Sequence, residues 1–211
     1  MGKIDLNKKQ KHDSLLDAAF QLFIKNGFDK TSISDIAETA GVAKGTFYLY
    51  FKNKFDIRDR LISHKASQVF QRAYDALKLS SVTSFEDQML FMTDHILNQF
   101  EHDKNLVLFL SKHLSWGFFK DTLVRSELDN SLNIQEIFEI LLKKADYIYH
   151  DPEIMMCLIL ELISGTSYQA ILYSEPFSLD QLKPHLYKGI RAILKEFRVT
   201  DPDSSVQTQN V

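Results

Sequence analysis

The chain has 211 residues, 45% of them hydrophobic and 25% charged, enough for one large core or two modest ones. Four prolines and seven glycines leave little room for a β-rich fold with many turns, and a formal net charge of −3 argues against a nonspecific nucleic-acid coat protein. The charge is unevenly spread: residues 1–60 hold 11 Lys and Arg against 8 Asp and Glu, a net of +3, and the remainder carries −6.

Taken in chain order, residues 10–28 form an amphipathic helix that stops at Gly27, with Phe28 placed for a hydrophobic contact beyond the C-terminus. Lys3, Lys8, Lys9 and Lys11 precede this helix as a charged arm. Thr31 and Ser32 can accept from the free N–H groups of a second helix, and Asp35 follows Ser32 at the spacing of a capping box, so that helix starts near Ile33. Ile33, Ile36, Ala37 and Ala40 share one stripe of a 3.6-residue period. Gly41 then supplies the backbone freedom of a tight turn, and Val42 returns to the core. A third helix is expected from Ala43 to Phe51, with Phe47 and either Tyr50 or Phe51 inward and Lys44, Gly45, Thr46, Tyr48 and Leu49 outward. A glycine inside a helix costs about 1 kcal/mol relative to alanine, which makes sense at Gly45 if a side chain there would hold the helix away from something it must approach. Two short helices, a glycine turn and an exposed Lys/Thr/Tyr surface are the layout of a helix-turn-helix that enters a DNA major groove.

The segment resembles the DNA-binding motif of the TetR (tetracycline repressor) family. Thr31, Ile33, Ile36, Ala37, Ala40, Gly41, Val42, Gly45, Tyr48, Tyr50, Phe51 and Lys54 all stand at the family's spacing, and the match runs back through residues 10–28. Two positions depart from the pattern. Ala43 replaces the usual capping serine, a loss of about 1 kcal/mol, and Phe55 replaces an acidic residue after the lysine, where its ring can bury between the motif and the next helix. The resemblance implies that Lys44, Gly45, Thr46 and Tyr48 lie at base edges and nearby phosphates, and that Thr31, Ser32, Tyr50 and Lys54 hold the sugar-phosphate backbone. The basic end of the chain is then the DNA end.

Beyond the motif the period is helical nearly throughout, so the fold class is all-α: an N-terminal three-helix helix-turn-helix DNA-binding domain over residues 1–52, then a larger helical ligand-binding and dimerisation domain over 53–199. Residues 200–211 lack apolar anchors and read as a disordered tail. A helix from about Asn53 to Leu77 joins the two parts. Either Thr83 with Glu86 or Ser84 with Asp87 caps another that runs to about Phe100, and further helices fill 104–123 and 133–147.

Residues 152–173 are apolar enough for a membrane span of ~20 residues, but Glu161, Ser164, Thr166, Ser167 and Gln169 interrupt them and no basic flank follows, so a buried helix is expected. Asp151 is its expected cap and Pro152 its first residue. The polar, charged N-terminus is unlike a signal peptide, which points to a cytoplasmic protein whose lone Cys157 is a reduced, buried thiol. On this helix Ile154, Leu158, Gly165, Tyr168 and Leu172 make a stripe; on the next, from Leu182 to Phe197, Leu182, Leu186, Ile190, Ile193 and Phe197 make another. In the family the last two long helices pack as a four-helix bundle between subunits. The resemblance therefore implies a homodimer through Ile154, Leu158, Gly165, Leu172, Leu186, Ile190 and Ile193, two recognition helices about 34 Å apart, and a palindromic operator.

The resemblance also implies a small hydrophobic effector in a pocket of the middle region, where Phe100, Phe109, His113, Trp116 and Tyr168 are the first candidates. His95 and His102 share a helix face, yet no Cys or acid completes a metal set, and no metal or cofactor is expected. GVAKGT has its Lys44-Gly45-Thr46 in the wrong order for a phosphate loop and no glycine-rich run before it, and no catalytic triad has a recognisable signature, so an enzyme is not expected. The competing reading is a protein of the same fold that answers to a protein partner and takes no small molecule.

Overall fold

The computed structural model describes residues 3–111 and 134–199, with the side chains of residues 3–5 and 111 left aside. The described residues are 77% helical and hold no strand; one isolated antiparallel bridge pairs Tyr149 with Arg198. The helices are α1 (Lys3–Asn26), α2 (Ile33–Thr39), α3 (Lys44–Phe47), α4 (Lys54–Lys78), α5 (Phe85–His102), α6 (Lys104–Ser111), α7 (Ile134–Leu142), α8 (Pro152–Tyr173) and α9 (Leu179–Glu196). The expected tail and the second half of the helix expected over 104–123 lie outside the described residues.

Two hydrophobic cores organise the chain. The smaller, in the head, gathers Leu15, Leu16 and Ala19 of α1, Ile36 of α2, and Phe47 and Phe51 around α3. The larger is built from α4 to α9, with Leu97, Leu110, Met155, Ile190 and Leu194 at its centre. Helix α4 belongs to both: Ile57 and Leu61 lie in the head core, and Ile62, Val69, Ala73 and Leu77 in the larger one. The cores therefore change over inside α4 rather than at residue 52. At about 1.5 Å per residue its 25 residues make a strut of about 37 Å.

Local signals explain most boundaries. Ser84, not Thr83, caps α5, its hydroxyl accepting from the Asp87 N–H at 3.2 Å. Asn53 caps α4 with its side-chain oxygen on the N–H groups of Phe55 and Asp56, both at 2.9 Å. Ser178 and Gln181 form a capping box that starts α9 three residues before the expected Leu182. Asp151 sits at the N-cap of α8 with φ +42, but its side chain makes no capping bond, so the start of α8 rests on Pro152 instead.

Two helices differ from expectation. Helix α1 begins at Lys3, so the lysines expected in a loose arm are helical. Helix α3 is four residues long instead of nine. Ala43 gives it no side-chain cap, and past Phe47 the chain tightens into turns with Leu49 N–H on Thr46 O and Tyr50 N–H on Phe47 O.

Candidate nucleic-acid interface and effector cavity

The turn between α2 and α3 is fixed by backbone bonds before any side chain matters. The Val42 N–H donates to Ala37 O at 2.9 Å and the Gly41 N–H to Glu38 O at 3.0 Å, the paired bonds of a Schellman motif, with Gly41 at φ +68 where a side chain would be strained. At the other end of α2 the Ser32 hydroxyl accepts from Asp35 N–H and the Asp35 carboxylate accepts from Ser32 N–H. The Ser32 backbone bond, then its hydroxyl, hold the Asp35 carboxyl below the usual carboxylate range.

Phe47 and Phe51 anchor α3 to the head core, and this orientation turns Lys44, Gly45, Tyr48 and Leu49 to solvent. Tyr48 is 53% exposed, its ring edge-on to Phe47 at 5.4 Å. Thr46 is half-buried. A Cβ on Gly45 would meet nothing within 4 Å, so nothing in the chain itself requires glycine there. Tyr50, also half-buried, lies against His12 and Phe51. Ser32 is exposed beside the start of α2.

Two expected backbone contacts need correction. Thr31 is 1% exposed, and its hydroxyl donates to Gly27 O at 2.8 Å and, less directly, to Leu22 O at 3.3 Å. The Lys54 ammonium donates to Phe28 O at 2.8 Å, Thr31 O at 3.0 Å and Asp29 O at 3.4 Å, and lies 4.4 Å from the centre of the Phe28 ring. Both residues clamp the α1–α2 loop, and their polar atoms are occupied inside the head. Phe55 packs against Phe28 at 5.2 Å yet stays 56% exposed, so its ring is only partly buried between motif and helix.

A cavity of about 100 Å³ opens among α4 to α8. Its wall is almost wholly apolar: Phe70 of α4, Met92 and Ile96 of α5, Val107 of α6, Phe138 of α7 and Ile159 of α8 line it. The expected Phe100 and Tyr168 are in the wall. Phe109 is not; its ring stands edge-on to Phe20 of α1 at 5.3 Å and touches both cores. His113 and Trp116 lie outside the described residues. The polar wall groups include Thr93, whose hydroxyl donates to Met89 O, and Ser167, which sequence reasoning did not single out. Its signal was present: Met156, Ile159, Ile163, Ser167 and Ile171 follow helical spacing on one face of α8.

The expected dimer residues divide. Ile154, Leu158 and Gly165 form an exposed stripe on α8, and a Cβ on Gly165 would meet only open space. Leu172 and Ile193 are half-buried. Leu186 and Ile190 are buried in the chain's own core, so they cannot face a partner. Helix α8 has the length and apolarity of a membrane span because it is apolar on two sides, with Met155, Met156 and Ile159 inward and Ile154 and Leu158 outward. Cys157 is half-buried, and burial pushes its thiol up.

Residues 15–61 match the family model for bacterial regulatory proteins of the tetR family. Over this segment the chain is similar to the TetR family. It is 39% identical over 88 residues to the fatty acid metabolism regulator protein of Bacillus subtilis, an alignment covering 42% of this chain and 45% of that one. It is 32% identical over 98 residues to the HTH-type transcriptional repressor NemR of Escherichia coli, covering 45% and 49%. These alignments span about half the length of the relatives they match. Among solved structures, the TetR fold is shared with the regulator FadR from Bacillus subtilis in complex with stearoyl-CoA, at 22% identity, TM-score 0.62, over 84% of this chain and 96% of that one. A TetR-family regulator from Streptomyces coelicolor superposes with TM-score 0.65 at 17% identity over 89% and 99%.

Proposed function

We propose that this chain is a cytoplasmic, homodimeric transcriptional repressor of the TetR family that grips a palindromic operator with two copies of α3 and lets go when a small hydrophobic effector fills the cavity. The observation that carries the reading is the surface of exposed Lys44, Gly45 and Tyr48 with half-buried Thr46, anchored by buried Phe47 and Phe51 and joined through α4 to an apolar cavity. The exposure of Lys44 supports a phosphate contact and that of Tyr48 a base-edge contact, and the absent side chain at Gly45 supports a close approach of the backbone to the groove. The exposed Ser32 and half-buried Tyr50 flank this surface as backbone contacts.

The apolar wall and the regulators this chain resembles support a long acyl chain as the effector class. The exposed Ile154, Leu158 and Gly165 stripe supports a twofold partner, whose symmetry demands the inverted repeat. A ligand that prefers the released form by a few kcal/mol moves the population between the two. The test is fluorescence anisotropy of the purified protein on the duplex upstream of its own coding region, with and without long-chain acyl-CoA. Salt-sensitive, sequence-preferring binding that acyl-CoA weakens is expected; binding indifferent to sequence would overturn the proposal.

A further inference from the structure

Among the described residues the cavity wall holds one buried polar atom with no partner. Ser167 is 3% exposed, and its Oγ makes no hydrogen bond among the described residues. A serine in a helix can satisfy itself by donating to the carbonyl one turn back. On the same helix Thr166 does so, on Leu162 O at 2.6 Å, and in the opposite wall Thr93 does so on Met89 O at 2.8 Å. Ser164, one turn before, donates to Glu161 O at 3.4 Å. The Ser167 hydroxyl is instead left buried and unpaired within an apolar wall, where such a polar group is costly and an alanine would fit without that cost. Among the described residues the wall has no Lys, Arg or His, so a carboxylate drawn against that part of the wall finds no counter-ion in it.

We propose that Ser167 is the polar anchor of the cavity and selects effectors with a long apolar body and one neutral oxygen, an alcohol, ketone, ester or thioester, over the corresponding free acid. The inference rests on the effector reading above and narrows its chemistry. A hydroxyl both donates and accepts, so it can meet either a carbonyl or an alcohol. The charged part of a larger effector would stay outside the apolar wall.

Binding to the full-length protein, measured by calorimetry without DNA, tests this with decan-1-ol, decanoate and hexylbenzene as probes. Wild-type protein should bind decan-1-ol at least about 10-fold more tightly than decanoate. Ser167→Ala should weaken decan-1-ol about 5- to 10-fold while leaving hexylbenzene within about twofold, as expected for one lost hydrogen bond. The thermal midpoint of the ligand-free variant should not fall, whereas a merely structural serine would lower it. Unchanged decan-1-ol binding in Ser167→Ala, equal loss of both uncharged probes, decanoate binding as tightly as the alcohol, or no probe binding at all would overturn the proposal. Probe binding with the expected selectivity but without release of operator DNA would sink the regulator reading and leave the anchor standing.

Discussion

Residues in the head that read alike in sequence have opposite tasks in the fold. Tyr48 projects into solvent, so its removal should leave the protomer intact: Tyr48→Ala is expected to abolish operator binding, measured by anisotropy, with an unchanged thermal midpoint and sedimentation coefficient. Lys54 makes the opposite case. With three carbonyls around its ammonium, Lys54→Met leaves those acceptors short of partners, and a loss of about 1–3 kcal/mol in chemical denaturation is expected. A Lys54→Met protein as stable as wild type, yet weak on DNA, would restore the lysine to the interface. Lys44, exposed at the start of α3, is expected to act as a phosphate contact, and Lys44→Ala should lower the slope of log affinity against log salt by about 1.

At the scale of elements, the ends of the short helices set how firmly the reading head is presented. Ala43 already has the extended backbone of an N-cap, φ −65 and ψ 146, but no oxygen to offer. Ala43→Ser should therefore stabilise α3 by about 0.5–1 kcal/mol, seen as a higher denaturation midpoint. Helix α2 is capped by a carboxylate whose affinity for protons is lowered by its bonds to Ser32. A depressed carboxyl adds stability above its unfolded value and loses it as pH falls through the folded one, so the thermal midpoint should decline between about pH 5 and pH 3. Asp35→Asn should flatten that acid limb. A second anchored carboxylate, Asp87, bonded by the Ser84 hydroxyl and by Arg191, adds to the same decline from the start of α5.

The whole molecule is two cores on one strut, with an apolar stripe left on its outer wall. Leu158→Asp places a charge in the middle of that stripe, and a monomer of normal helicity is expected by analytical ultracentrifugation. Leu186→Ala acts inside the protomer instead, where deleting a buried leucine costs about 2–5 kcal/mol. A dimer that survives Leu158→Asp would move the partner surface off α8. Between the cores, Phe109 of α6 touches Phe20 of α1 while Val107, two residues earlier, lines the cavity, so the cavity and the head are joined by α6 as well as by α4.

The sequence by itself determined the all-helical class and the turn of the head, because caps, glycine turns and a 3.6-residue period are local physics: Ser32 with Asp35, Gly41, and the run from Pro152 to Tyr173 could be placed without knowing any neighbour. Gln181 three residues after Ser178 was equally legible as a cap. Tertiary structure alone decided which of two apolar faces on one helix looks inward. Ile154 and Met155 are adjacent and both apolar, yet one is exposed and the other buried, and the stripe of α9 that suited a partner is its own core. It also decided that Thr31 and Lys54 turn inward, since a hydroxyl or ammonium bonds whatever oxygen the fold brings near, and those oxygens lie 4 to 26 residues away in the chain. Periodicity reports that a side chain is apolar or polar; only packing says what it meets.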